Sequence, residues 1–98
     1  MTSRDDYIEK LKAQLDHWNA EVAKWEAQAK GAKADLQVRY AKELDVLRAQ
    51  RELARYNLKL LEGASATAWV ELRKGADEAW DRMQAAVSAA RAHFEKRD

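Results

Sequence analysis

Apolar residues recur once per helical turn along almost the whole chain. Tyr7, Leu11, Leu15, Trp18, Val22, Trp25, Ala29, Ala32, Leu36, Tyr40, Leu44 and Leu47 make the first half of the ladder. Ala54, Leu58, Leu61, Trp69, Leu72, Ala76, Trp80, Met83, Val87, Ala90 and Phe94 make the second, and only Arg51 and Ser65 interrupt it. About 24 steps over about 87 residues average roughly 3.6 residues, the pitch of a straight helix and not the 3.5 of a strict heptad. The pattern predicts long amphipathic helices with a nearly straight seam. Within it, steps of eleven residues join Tyr7 to Trp18, Leu36 to Leu47, Trp69 to Trp80 and Leu72 to Met83. Eleven residues complete three turns with little angular drift, so the two ends of each step share a face. Trp18 and Trp25, seven apart, share it too, and all four tryptophans read as core anchors of one stripe.

The polar positions support helices from the other side. Asp6 and Lys10, Glu26 and Lys30, Asp35 and Arg39, and Glu78 and Arg82 stand acid-first at i and i+4, each pair contributing about 0.2–0.5 kcal/mol. Ser3 followed by Asp6 resembles a capping box, placing a helix start near Arg4. Gly31, Gly63 and Gly75 are the available helix breakers, since the chain has no proline. Gly63 is the favoured turn, as the residue after one helix, with Ser65 or Thr67 capping the next. The leading expectation is thus an all-α fold of one domain spanning 1–98, an antiparallel coiled-coil hairpin with helices over about 4–62 and 65–96. Leu58 would then face Trp69, Leu47 would face Trp80 and Ala32 would face Phe94. That arrangement leaves Trp18, Val22 and Trp25 uncovered, so a second chain would have to cover them. Two alternatives remain: one continuous rod-like helix, about 140 Å long at 1.5 Å per residue, and a small three-helix bundle with turns at both Gly31 and Gly63.

Composition narrows the chemistry. Eighteen Lys and Arg against seventeen Asp and Glu leave a formal charge of +1, which supplies no overall pull toward nucleic acid or an anionic membrane. With no cysteine, thiolate catalysis, disulfides and Cys-based zinc sites are closed, as a reducing compartment would favour. The N-terminal stretch "MTSRDDYIEKLK" has no apolar run of signal-peptide length, and the expected location is the cytoplasm. Three glycines cannot build a phosphate-cradling loop. His17 has Glu21 one turn away and His93 stands apart, so no set of metal ligands forms. Asp5 with Asp6 and Asp77 with Glu78 read as surface charges, not as an acid–base pair. No catalytic, cofactor-binding or metal residue is expected, and the chain reads as a non-enzyme.

Two features could act on partners. The stripe itself, with Trp18, Val22, Trp25, Leu36, Leu44, Leu47, Leu58, Trp69, Leu72, Trp80 and Phe94 as its core or interface residues, can bury itself in another helix or lie at a lipid interface. Arg48, Arg51 and Arg55, at i, i+3 and i+7, form a basic strip that could bind an anion, although Asp45 and Glu52 lie one turn away and could neutralise it.

The stretches "KLKAQLDHWNAEVAKWEAQAKGAKADLQVRY" and "ASATAWVELRKGADEAWDRMQAAVSAARAHF" resemble a family of small coiled-coil proteins of proteobacteria and cyanobacteria, described as stress-response or uncharacterised proteins. The resemblance covers nearly the whole chain and is most specific at "QLDHW", "AKADLQVRY", "ASATAW" and "GADEAW"; a looser likeness to apolipoprotein-like amphipathic repeats lies mainly in composition. It implies a soluble bacterial coiled-coil protein linked to salt or oxidative stress, with no catalytic residues to carry over. The resulting expectation is a stress-associated scaffold that self-associates through its Trp/Leu/Ala stripe. The alternatives are a protein that coats a lipid or hydrophobic-granule surface and a weak nucleic-acid binder acting through the arginine strip.

Overall fold

The apolar seam folds back on itself twice. The computed structural model describes residues 3–95, which form three helices of almost equal length: α1 (Ser3–Lys30), α2 (Ala34–Glu62) and α3 (Ala66–Phe94). Ion pairs from Lys12 to Glu62 and from Glu26 to Arg48 mark α1 and α2 as antiparallel. Tyr40 stacks on Phe94 while Asn57 lies against Gly75, so α2 and α3 are antiparallel too. It follows that α1 and α3 run parallel, and the bundle measures 50 × 21 × 18 Å.

Side-chain size sets the spacing of the helices. Ala54 of α2 and Ala76, Ala79 and Ala90 of α3 are buried, and small residues let two backbones come close. The α2 and α3 backbones accordingly approach along most of their length, while α1 and α3 come near each other at few points. The gap between α1 and α3 is filled by rings: Tyr7 against Trp69 with centroids 5.8 Å apart, Trp18 against Trp80 at 5.8 Å and Trp25 against Phe94 at 5.4 Å.

The hairpin with its single turn near Gly63, and with it a helix over about 4–62, gives way to the three-helix alternative. The chain leaves helical geometry at 31–33 as well as at 63–65. Burial explains why. Each tryptophan hides roughly 150–250 Å² when enclosed, about 4–6 kcal/mol at 25 cal/mol per Å². Breaking a helix forfeits only a few backbone hydrogen bonds of about 1 kcal/mol net each. Folding at Gly31 brings Trp18, Val22 and Trp25 into the core at 4%, 0% and 0% exposure, so the cover expected from a second chain comes from this one. The Gln37 side chain recovers part of the loss by donating to the Lys30 carbonyl at 3.3 Å.

Details at the second turn also differ. Gly63 ends α2 at φ −96°, ψ 3° and not in the left-handed cap conformation, its amide donating to the Lys59 carbonyl at 3.3 Å. Ser65 does cap α3 as expected, its Oγ accepting from the Ala68 amide at 3.2 Å. With the extra turn, the expected register of α2 on α3 slides by about one heptad, and Phe94 meets Tyr40 instead of Ala32. The helix expected over about 65–96 ends at Phe94, and position 96 lies outside the described residues.

Among the four tryptophans, Trp69 is the one left half-buried, beside the second turn. Trp80→Ala is therefore expected to cost about 3–5 kcal/mol of folding free energy, and Trp69→Ala clearly less. Equilibrium unfolding in urea of the two variants checks the order.

Candidate functional site

Most of the anchors expected from the sequence meet in one core. Trp18, Val22, Trp25, Leu44, Leu47, Leu58, Trp80 and Phe94 are buried, and Trp69 and Leu72 pack half-buried against them. Leu36, in the first turn of α2, is only half-buried. The stripe is thus occupied within the chain, and what remains available to partners lies at the bundle ends and on the outer helix faces.

One end is tied by a group that periodicity does not reveal. Arg4, in the first turn of α1, donates to the Leu61 carbonyl at 3.0 Å, which also accepts from the Ala64 amide, and to the Ala64 carbonyl at 2.7 Å in the connection that follows α2. Its guanidinium lies 4.7 Å from the Trp69 ring centroid. Trp69 meets Tyr7 edge-on, Arg73 stacks on Tyr7 at 4.7 Å, and the Tyr7 hydroxyl donates to Asp77. Partial burial, followed by the bond to the Asp77 carboxylate, pushes the Tyr7 phenol up to about 12. At the other end, Lys24 pairs with Glu95 at 2.7 Å and holds that carboxyl below the usual range, while Gln28 donates to the Phe94 carbonyl at 2.7 Å.

The arginine strip carries carboxylate partners. Arg48 reaches Glu26 of α1 at 2.5 Å and Asp45 at 3.6 Å, and Arg55 pairs with Glu52 at 3.1 Å. The hydrogen bond from Arg48 holds the Glu26 carboxyl below its ordinary value. Arg51 turns inward at the seam position that interrupts the ladder, half-buried, with its Nε enclosed and unpaired. Two of these three side chains, Arg48 and Arg55, already hold carboxylates, and Arg51 adds its charge to that of Arg48 at Glu26.

Both histidines are likewise engaged. His17 lies 2.8 Å from Glu21, which also takes Arg91 at 2.6 Å, and His93 lies 2.6 Å from Glu43. Among the described residues no three His, Cys, Asp or Glu side chains gather as a metal would need, and no helix is long and apolar enough to cross a membrane. Open surface hollows lie beside Arg4, Ile8 and Glu62 and beside Ala29, Gln37 and Leu44.

The feature that stands out is the outer face of α2. Large exposed apolar side chains in the described residues are Val38, Val46, Leu53 and Tyr56 on α2, with Val70 on α3. Val46 is 52% exposed, Leu53 45% and Tyr56 61%. With exposed Ala49 and half-buried Leu60 they make a second seam, Val46-Ala49-Leu53-Tyr56-Leu60, at steps of three and four. The inward ladder of α2 (Leu44, Leu47, Arg51, Ala54, Leu58, Leu61) has the same alternation two residues out of phase, which puts it on the opposite face of the helix. A search for one apolar position per turn selects the inward set and passes over the outer one. The signal that reveals it is the heptad spacing of Val46, Leu53 and Leu60 with Ala49 and Tyr56.

The Tyr7 bond makes a pH prediction. A phenol whose folded pKa lies above its unfolded value of 10 stabilises the fold fully below pH 10 and loses that contribution as pH rises through about 12. Tyrosinate absorbance is expected to show a component titrating near pH 12 that Tyr7→Phe removes, and the stability advantage of the parent over that variant should shrink between pH 10 and 12.

Comparison of the chain with protein-family models, with curated proteins and with solved structures gives no match.

Proposed function

We propose that this chain is a non-enzymatic, cytoplasmic interaction protein that assembles with copies of itself, acting as the stress-associated scaffold that its sequence resemblance implies. The observation that carries this reading is the outer seam of α2, five residues at heptad steps on a helix whose inner face is already satisfied. A bundle that needs no partner to close its core serves here as a rigid carrier for that helix. Self-association through the Trp/Leu/Ala stripe is replaced in this reading by self-association through α2, because the tryptophans are covered by the chain's own helices.

The margins of the seam favour a helical partner over the two alternatives. Asp45 and Glu52, with side chains 78% and 64% exposed, border it and would oppose anionic lipid. Nucleic acid would have to displace Glu26 and Glu52 from Arg48 and Arg55 before it could use them.

A two-heptad seam buries less than a standard protein–protein interface, so dissociation constants on the order of 10–100 µM are expected. Sedimentation equilibrium from micromolar to millimolar concentration should show the mass rising from 11.2 kDa toward twice that value. Leu53→Glu should hold the protein at monomer mass with its helical circular dichroism intact. A parent protein that stays monomeric at millimolar concentration overturns the reading.

A further inference from the structure

From the order of residues on the outer face of α2, we infer that two copies pair there in antiparallel fashion about a two-fold axis level with Ala49 to Leu53. The inference rests on the self-association proposed above and specifies its geometry. In heptad terms Val46, Leu53 and Leu60 take the a positions and Lys42, Ala49 and Tyr56 the d positions. An antiparallel pair sets each a residue against a d residue of its partner, and a two-fold interface makes every such contact twice. Val46 then faces the partner's Tyr56, Leu53 faces the partner's Ala49, and Leu60 lies under the partner's Lys42, whose methylenes cover it while the ammonium reaches water. Each layer sets a larger side chain against a smaller or flexible one, and six positions over about 27 Å of helix are used without remainder.

The charges beside the seam agree with this register. Asp45, Glu52 and Lys59 follow one another at heptad spacing along one margin. Antiparallel pairing brings Asp45 to the partner's Lys59 and Lys59 to the partner's Asp45. Glu52 meets its own copy near the axis, and the Arg55 that each Glu52 already holds at 3.1 Å offsets that repulsion. A parallel pair is disfavoured on both counts. It would put Lys42 on Lys42 and Tyr56 on Tyr56, leave Ala49 on Ala49 as a gap, and bring the charged margin against Gln50 and Asn57.

The absence of cysteine from the chain makes cross-linking a clean test. Asp45→Cys and Lys59→Cys proteins, each purified, are mixed at millimolar concentration in a glutathione redox buffer and run on a non-reducing gel, with circular dichroism and sedimentation equilibrium on the same samples. The expected result is a covalent dimer in the mixture and little in either protein alone. In parallel, Asp45→Lys should weaken dimerisation about fivefold and Asp45→Lys combined with Lys59→Asp should restore it, since the swap recreates both pairs. Cross-linking of Asp45→Cys with itself would mean a parallel pair and overturn the inference while leaving self-association through α2 in place. A dimer mass with no cross-link in the mixture overturns it in the same way. A monomer mass for the parent protein removes both the geometry and the reading on which it rests.

Discussion

Two helices that run side by side in the same direction and both carry large rings set the shape of this bundle. Tyr7 and Trp18 are eleven residues apart on α1, as Trp69 and Trp80 are on α3, and the pairs meet tier by tier. An eleven-residue step repeats after three turns with almost no rotation, so matching steps on two parallel helices keep their rings in contact without supercoiling either one. The rings hold α1 and α3 apart, and α2 fills the resulting trough with leucine and alanine. Because α2 packs closely on alanine-rich α3, much of its circumference stays in water. The exposed seam is in this sense a consequence of the aromatic spacing on the other two helices.

That dependence explains which parts of the structure periodicity could reveal. Helix content and much of the core follow from spacing, and Trp18, Trp25, Leu47 and Phe94 lie inside as their positions require, whereas Ile8 and Ala79, off the ladder, are buried and Leu36, on it, is only half-buried. The turn at Gly31 does not follow from it, because the stripe continues in phase across the break and no capping side chain marks it; Lys33, the residue before α2, makes no side-chain cap. What decides the break is tertiary, namely the area that Trp18 and Trp25 hide once α3 arrives. Arg4 was illegible for a related reason, since the carbonyls it serves are 57 and 60 residues away. The outer seam was legible in its residues but not in its direction: of two heptad patterns on opposite faces of α2, only packing against α1 and α3 determines which one faces in.

Polar groups inside the bundle show what this mode of packing costs. The described residues include no buried charged side chain in the core, yet the indole nitrogens of Trp25 and Trp80, the Nε of Arg51 and the Asn19 oxygen are enclosed without a partner. Each enclosed and unpaired group opposes folding by about 1–3 kcal/mol, less than an indole gains by leaving water. Some of the ion pairs, such as Glu52 to Arg55, stay within one helix, while others cross between helices, as Glu21 does to Arg91 and Glu26 to Arg48. Exposed pairs of this kind add little to stability, but they fix how far one helix slides along the next.

The ring pair at the far end of the bundle sets an order of events. Trp25, fully enclosed, is stacked on Phe94, a residue in the last turn of α3 and 69 positions later in the chain. On a ribosome, α1 and α2 emerge and can pair while that indole still faces solvent, and it stays so until almost all of α3 has been made. The growing chain therefore carries a large uncovered aromatic patch until α3 is available, and closure of the core waits for the last turn of that helix.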